Sequence, residues 1–577
     1  MPTLFDVRDH GWRPGADDAG EALHGAIAAA RSAPGSARLL LPPGDFHVWP
    51  ETSPHRELFV SNTVGIDARF TEKSIGMLLD GVTDLTVEAD GARLIVHGRQ
   101  TALAVVDGRE VDVQGLEIDW AVPTVIDVTV ADSGVDAEGA WRILTVSAQH
   151  GFDVEGTDVV WRSERSPFTG GLYWSGRNAL AYSQVCDPVS GRVRRAPCPL
   201  FDDVTDVERV DARTLRISYA TASPPEDRGL VYQLRETDRD HPGMLVLDSA
   251  DVALRRLRID YLHGFGLVAQ NSADLTLDGV VFRAPAGDGR VTAGFADFVQ
   301  CSGMRGRVEI RDCEFDGPHD DPINVHGTYL AVAAAERDAL TLEYRHDQTA
   351  GFPSFDEGEL IELVDRRTLR PLHTTTVRHA SGPSGRDAAS AARPIRVGLA
   401  DPLPPEVLAA ARAGRLAAEN VTRTPEVTIS GCTFRRVPTR AILVTTRRPV
   451  RIEGCRFEGI AMPCIQIAAD ASDWWESGPV ADVAIVGNSF RDVTAGVLQV
   501  APGVPAGGPR VHDTVAFDDN EVELVEPLLA ELRGLRVFTA RGNRVRVADG
   551  GRPTIRLDAG GQVDWDGPEP PRVELRR

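Results

Sequence analysis

The hydrophobic positions of this chain follow a short pattern that recurs along most of its length. In each copy two apolar residues alternate with polar ones, a Gly or a small polar residue follows, and an aromatic residue often ends the copy. An alternation with a period of two predicts β-strands that end at the turn residue. The copies begin at Val111, Val252, Leu275, Val308, Val427, Val450, Val483, Val515 and Val537.

The spacing of the copies predicts that the strands stack as coils of one solenoid. The first residues of neighbouring copies are separated by the length of one short coil, for example 23 residues (450 − 427). Where a longer loop is extruded, the separation is 33 residues (483 − 450). A second strand follows in each coil, as at residues 323–326, 442–445 and 465–468. Short strands stacked at about 4.8 Å per rung form a parallel β-helix. The predicted fold class is therefore all-β, a right-handed parallel β-helix.

The N-terminal residues predict a cap for the first coil. Residues 18–31 are rich in Ala with helical spacing, and residues 39–48 have the pattern of strand, Pro-Gly turn and strand. A short helix over the first rung would protect its edge from pairing with another chain.

Two stretches interrupt the periodic pattern and divide the chain into five parts. Each is around 100 residues of alternating segments and turns, which is too long for a structureless loop. We interpret both as inserted antiparallel β modules, resembling small barrels. The predicted parts are 1–121 (cap and first coils), 122–245 (first insert), 246–329 (central coils), 330–425 (second insert) and 426–577 (C-terminal coils).

The bulk charge and composition narrow the possible partners. A formal net charge of -23 argues against nucleic acid and an acidic membrane surface, and weakly against a polyanionic sugar. No apolar run approaches the roughly 20 residues that span a bilayer. The first residues lack the pattern of a signal peptide, so we expect either a cytoplasmic protein or a secreted form whose signal was removed.

The positions of the seven cysteines favour a packing role over metal binding. Cys313, Cys432 and Cys455 each stand two residues before a Phe, which predicts a buried ladder of small apolar side chains. Cys186 and Cys198 either pair or remain free. No CxxC or HExxH spacing occurs, so we expect neither a metal site nor a cofactor.

Three aspartates carry the strongest indication of chemistry. Asp297 stands 23 residues before the first member of the pair Asp320–Asp321 (320 − 297), so one coil stacks it almost directly on the pair. Glycoside hydrolysis needs carboxyl groups whose pKa values are pushed apart. Because Asp320 would lie between two negative neighbours, it is the expected acid that holds a proton. Asp297 and Asp321 would be ionised and share a water.

Neighbouring polar residues have two interpretations. An Asp-Asp pair before Pro is commonly only a turn, but the phase of Asp297 and the residues that follow favour a site. Asn324 is expected to face outward and contact a sugar. His319 and His326 either bind substrate or are ordinary polar surface residues.

Aromatic and basic residues in later coils extend these hypotheses. Trp474 and Trp475 fall in an extruded loop, where a ring is more exposed than a core requires. We expect Trp475 to contact substrate, with loop packing as the alternative. Arg447 and Arg448 would steer the substrate if it were acidic.

With these residues in view, the chain resembles the pectin-lyase-like superfamily and, more narrowly, glycoside hydrolase family 110, the α-1,3-galactosidases. The resemblance covers most of the chain and is most specific at residues 319–327. It implies an inverting exo-glycosidase that removes terminal α-1,3-linked galactose from blood-group B antigen, linear Galα1,3Gal or both. It also implies Asp320 as acid and Asp297 with Asp321 as the water-activating base.

Several alternatives stay open at this point. Adjacent rungs bring carboxylates close together, and a separation of about 5 Å is typical of retaining enzymes. A polygalacturonase-like hydrolase of acidic polysaccharide and a non-catalytic glycan-binding β-helix are the competing functions. We expect a galactose-terminated oligosaccharide or glycoconjugate as partner, and the inserts offer surface for a homodimer.

Overall fold

The computed structural model describes residues 2–221, 226–505, 507–558, 560–567 and 569–576. Over these ranges the chain winds into a parallel β-helix of three sheets, which confirms the predicted fold class. Sheet 1 consists of Thr3–Asp6, Ala37–Leu40, Thr83–Glu88, Arg109–Gln114, Ala250–Arg255, Ala273–Asp278, Arg305–Arg311, Glu426–Ser430, Val450–Glu453, Asp482–Val486, His512–Asp518, Leu535–Arg541 and Gln562–Asp566.

Sheets 2 and 3 complete each coil. Sheet 2 consists of Gly44–Val48, Ala92–Val96, Glu117–Trp120, Arg258–Ile259, Val281–Phe282, Glu314–Asp316, Thr433–Val437, Arg456–Ile460, Ser489–Val493, Glu521–Leu524 and Arg544–Val547. Sheet 3 consists of Glu72–Asp80, Thr101–Val106, Met244–Leu247, Leu267–Gln270, Val299–Ser302, Ile323–Ala335, Ile442–Val444, Ile465–Ile467, Leu498–Val500, Leu528–Leu532, Thr554–Asp558 and Arg572–Arg576. The short strands His55–Glu57 and Glu476–Ser477 pair with sheet 3 in the antiparallel sense.

The strand register follows the sequence pattern from coil to coil. The residues that begin eight of the nine copies, from Val111 to Val515, fall into one row of sheet 1. The ninth start is one residue out of this register, because Val515 pairs with Phe538 and Val537 pairs with Thr514. Parallel strands in this register place the same position of every coil at the same point of the cross-section. A residue aligned in sequence with the turn that contains Asp320 and Asp321 therefore lies beside that turn in space.

Stacked identical side chains fill the inside of the coils. Phe315, Phe434, Phe457 and Phe490 form a column with ring centroids 5.1, 4.8 and 4.6 Å apart. The expected cysteine ladder is confirmed, because the strand register aligns Cys313, Cys432 and Cys455 and all three are buried.

All seven cysteines belong to the described part of the chain, and all seven are buried and free. Cys186 and Cys198 therefore do not pair, and each packs in its own apolar cluster within the first insert.

Helices are few and short. The helix Gly20–Arg31 buries Leu23, Ala26 and Ile27 against the first coil, which confirms the predicted cap. The remaining helices are the 3₁₀ turns Val7–His10 and Pro199–Phe201 and the α-helices Ala388–Ala391 and Pro405–Arg412. Among the described ranges, no helix has the length and apolarity needed to cross a membrane.

Both inserts are antiparallel β structures, as expected. The first contains a seven-stranded sheet of Arg192–Arg195, Tyr182–Asp187, Val231–Arg235, Ile126–Asp136, Gly139–Val146, Thr214–Tyr219 and Val204–Arg209, with a three-stranded sheet of Gly151–Glu155, Asp158–Arg162 and Ser175–Arg177. The second closes into a barrel of Ile323–Ala335, Ala339–Glu343, Ile395–Leu399, Arg370–Ser381, Leu360–Asp365 and Leu416–Asn420. The strand that follows Asp321 thus belongs to both sheet 3 and the barrel.

Candidate active site

The three aspartates lie together at the turn that leads into sheet 3. Val299 pairs with Ile323, so Asp297 and Asp321, each two residues earlier, occupy the same position on adjacent rungs. The backbone N–H of Phe298 donates to the carbonyl oxygen of Asp321 at 3.2 Å. Asp297 and Asp321 are both buried, whereas 15% of the Asp320 side chain is exposed. Asp320 is therefore the carboxyl group most open to a ligand.

Two arginines from the first insert and the segment after it contact Asp320. Arg195 Nη2 donates to Asp320 Oδ1 at 2.9 Å, and Arg239 Nη2 donates to Asp320 Oδ2 at 3.1 Å. Each carboxylate oxygen thus has its own guanidinium group, an arrangement suited to a negatively charged carboxylate. The sequence interpretation considered only the negative neighbours of Asp320, and it missed both arginines because no spacing links them to the repeat.

A third arginine, Arg440, contacts Asp321 from the next coil. Its Nη2 donates to Asp321 Oδ2 at 2.5 Å, and its backbone N–H donates to Asp321 Oδ1 at 3.2 Å. Ile323 pairs with Ile442, so Arg440 and Asp321 share one position of the coil. The repeat alignment could have found this residue.

Burial shapes the protonation of the two enclosed carboxyl groups. Burial, reinforced by the charges of Asp320 and Asp321, raises the pKa of Asp297 well above its usual range. Burial also raises the pKa of Asp321, to about 6, although Arg440 opposes that shift. The direction for Asp297 differs from the expectation that this residue is ionised. Without substrate, the structure favours a proton on Asp297.

His319 is buried behind the carboxyl groups. Arg235 Nε donates to His319 Nδ1 at 3.3 Å, and the ring of Tyr182 lies 6.1 Å from the imidazole. Burial and the charges of Arg235 and Arg195 lower the pKa of His319 well below its usual value. The residue is a neutral hydrogen-bond acceptor for Arg235, rather than a polar group on the surface.

Asn324 and His326 lie on the strand that follows the aspartates. Asn324 is buried, and its Oδ1 atom has no hydrogen-bond partner among the described residues. His326 Nε2 lies 3.1 Å from Gln300 Nε2 and 3.5 Å from Glu476 Oε1. Both side chains are thus enclosed by protein, which differs from the expectation that Asn324 faces outward, and only His326 is engaged by protein groups at these atoms.

The two tryptophans of the extruded loop have opposite environments. Trp475 is buried among Tyr329, Val364 and Ala417, which is the packing role left open by the sequence. The ring of Trp474 is 43% exposed and stacks on His346 with centroids 4.5 Å apart. Trp474 is therefore the ring that a sugar can reach.

The two inserts contribute unequally to the site. The first supplies Arg195 and Arg235, while a loop of the second brings Thr349 Oγ1 within 2.9 Å of Asn62 Oδ1. Asn62 in turn donates from Nδ2 to Glu476 Oε1 at 3.1 Å. The first insert therefore supplies more of the charged groups around the aspartates than the second.

One group of side chains has the composition of a metal site. Asp240, His241 and His263 are buried, with possible ligand atoms within 4.8 Å of one another. Both imidazole nitrogens of His263 are already engaged, by Thr124 Oγ1 at 2.6 Å and by Asp240 Oδ1 at 2.6 Å. The ammonium group of Lys73 also donates to the Asp240 carbonyl. These contacts join Asp240 and His263 to a hydrogen-bond network, whereas both ring nitrogens of His241 are buried and have no hydrogen-bond partner among the described residues.

Comparison with known proteins decides the family. The chain is 45% identical over 555 residues to α-1,3-galactosidase A of Peterkaempfera griseoplana, covering 94% of this chain and 76% of the relative. The chain belongs to the α-1,3-galactosidase family. The α-1,3-galactosidase A of Bacteroides thetaiotaomicron is 33% identical, with 80% of this chain and 77% of the relative covered. No protein-family model matches the chain.

Solved structures similar to this α-1,3-galactosidase family member are distant. The A-module of mannuronan C-5 epimerase AlgE4 from Azotobacter vinelandii is 9% identical with a TM-score of 0.36, covering 99% of this chain and 100% of the other. An exopolygalacturonase from Thermotoga maritima is 10% identical with a TM-score of 0.31, covering 99% and 93%. Neither value bears on the activity of this chain.

Proposed function

We propose that this protein is an inverting exo-glycosidase that hydrolyses terminal α-1,3-linked galactose. The observation that carries the proposal is the group formed by Asp297, Asp320 and Asp321 on adjacent rungs, in a chain whose relatives are α-1,3-galactosidases. Three carboxyl groups at one turn are costly because like charges raise one another's pKa. Such a cluster is typical of a site for acid–base chemistry.

The competing function, a polygalacturonase-like hydrolase of acidic polysaccharide, loses part of its support. A polygalacturonase-like site would need free basic groups for the acidic sugars, and the sequence offered Arg447. That guanidinium group pairs instead with Glu419 and Glu362, both buried carboxylates. Of the two arginines expected to bind an acidic sugar, Arg447 is therefore neutralised within the protein, whereas Arg448 is exposed. The neutralisation of Arg447 favours a neutral galactoside over an acidic polysaccharide.

We assign the general acid to Asp320 and the activation of water to Asp297 and Asp321. The acid must reach the glycosidic oxygen, and Asp320 is the most exposed of the three carboxyl groups. This assignment requires Asp320 to donate a proton although Arg195 and Arg239 each contact one of its oxygens. Asp321, whose pKa is about 6, is ionised near neutral pH and serves as a base.

A second assignment is supported by a specific observation. The pKa of Asp297 is raised by burial and by both neighbouring carboxylates, as the pKa of a general acid should be. Asp320, with a guanidinium group on each oxygen, would then stabilise charge or orient water. The two assignments share one site and differ only in which residue gives its proton to the leaving oxygen.

An aryl α-galactoside with a good leaving group separates these assignments. Such a leaving group departs without protonation, so loss of the acid costs little on it, while it typically costs about 10²–10⁴-fold on a disaccharide. We expect Asp320→Asn to lose activity on Galα1,3Gal and to retain most activity on the aryl galactoside. The same selective rescue of Asp297→Asn, without rescue of Asp320→Asn, would establish the second assignment.

Galactose release followed by NMR tests the reaction itself. Wild-type protein is mixed with Galα1,3Gal, the blood-group B trisaccharide, Galα1,4Gal and polygalacturonate. We expect galactose from one or both α-1,3 substrates and none from the others, with the β-anomer formed first. Initial α-anomer would reject inversion, and release from polygalacturonate alone would reject the proposed substrate. No reaction on any substrate would favour a binding module.

A further inference from the structure

A cleft lies between the first insert and the coils that follow the aspartates. Its volume is about 580 Å³, within the usual range for ligand sites. One wall is the hairpin formed by Tyr182–Asp187 and Arg192–Arg195. The other wall is formed by Gly459, Ile460 and Ala461 of one coil and by Asp492 and Thr494 of the next.

The strand register connects this cleft to the catalytic turn. Val437 pairs with Ile460, so Ala461 has the coil position of Pro438, one coil earlier. Phe315 pairs with Phe434, which places His319 in that same position one coil before. The cleft therefore continues along the row of turns that contains the aspartates, beginning two rungs, or roughly 10 Å, beyond them.

The hairpin joins the two places directly. Arg195 contacts Asp320, while Arg192 and Arg194 of the same strand line the cleft. Arg192 also pairs with Asp492, Nε to Oδ2 at 2.8 Å, and so ties the two walls together. A ligand leaving the carboxyl groups toward the C-terminal coils would pass under this strand.

We infer that the cleft binds the neutral oligosaccharide chain that carries the terminal galactose. The inference rests on the proposed function, since it concerns the part of the substrate beyond the bond that is cleaved. The lining suits a sugar chain because it combines apolar surface at Val193 and Ile460 with hydroxyl and charged groups at Ser190, Arg194 and Thr494. Sugars present apolar C–H faces and a rim of hydroxyl groups.

The test compares a short and a long substrate that share one terminal linkage. Galα1,3Gal occupies only the catalytic turn, whereas the same disaccharide extended by three neutral sugars at its reducing end reaches the cleft. We expect the wild-type protein to have the higher kcat/KM on the extended glycan. Ala461→Trp and Thr494→Trp should each lower that value tenfold or more by filling the cleft, and leave kcat/KM on the disaccharide unchanged.

Glu523→Trp is the matched control, because Glu523 lines a separate surface groove on later coils. It should behave as wild type on both substrates. The inference would be overturned if the wild-type protein had the same kcat/KM on the short and the long substrate. It would also be overturned if both cleft variants lost kcat/KM equally on the two substrates. Failure of the proposed function is distinct, because the wild-type protein would then release galactose from neither substrate.

Discussion

At the scale of single residues, contacts with arginines give the three aspartates of the site different electrostatic environments. Asp320 pairs with Arg195 and Arg239, and Asp321 pairs with Arg440. Among the described residues, no arginine donates a hydrogen bond to the carboxyl group of Asp297. Burial raises the pKa of both Asp297 and Asp321, and the charge of Arg440 opposes both shifts, but Arg440 donates hydrogen bonds to Asp321 and not to Asp297. Differences of this kind let one acid and one base coexist in a single site.

The pH dependence of Arg440→Gln tests this compensation. Arg440 lowers the pKa of Asp321, so its loss should raise that pKa above about 6. If ionised Asp321 activates water, the acidic limb of the kcat/KM profile moves to higher pH. Arg435→Gln, a half-exposed arginine of the same coil, should leave the limb in place. If the acidic limb of the kcat/KM profile does not move in Arg440→Gln, ionisation of Asp321 does not set that limb.

At the scale of elements, one extruded loop serves both packing and access. Asp470 accepts hydrogen bonds from the backbone N–H groups of Ser472, Asp473, Trp474 and Trp475, which fixes the loop. The fixed backbone directs Trp475 into an apolar cluster and leaves Trp474 exposed on His346. Adjacent residues of one loop thereby have separate roles.

Substitution of each tryptophan by Ala should separate these roles. Trp475→Ala removes a buried ring and should lower the free energy of unfolding by about 3–5 kcal/mol. Trp474→Ala should leave the unfolding midpoint close to that of wild type and raise KM for the galactoside, because an exposed stacking surface is lost. Thermal unfolding and steady-state kinetics on both variants measure the two effects. An unchanged KM in Trp474→Ala would contradict a stacking role.

At the scale of the whole molecule, the repeat explains why so much of the fold was predictable. The period-two pattern predicted the row from Val111 to Val515, and the cysteine ladder followed from its phase. The first insert lacks the repeat of the coils, so neither its strand order nor the approach of Arg195 to Asp320 could be derived. The burial of Trp475 was equally inaccessible, since it depends on contacts with the second insert.

The most direct test of the account is kcat/KM on Galα1,3Gal for Asp297→Asn, Asp320→Asn and Asp321→Asn. Asp316→Asn is the matched control, because Asp316 is a buried aspartate at the end of the preceding strand and pairs with Arg436. With folding verified by thermal unfolding, we expect each of the first three variants to lose about 10²-fold or more, and the control to stay within a few-fold of wild type. Near wild-type activity in Asp320→Asn or in Asp297→Asn would contradict catalysis by this carboxyl cluster.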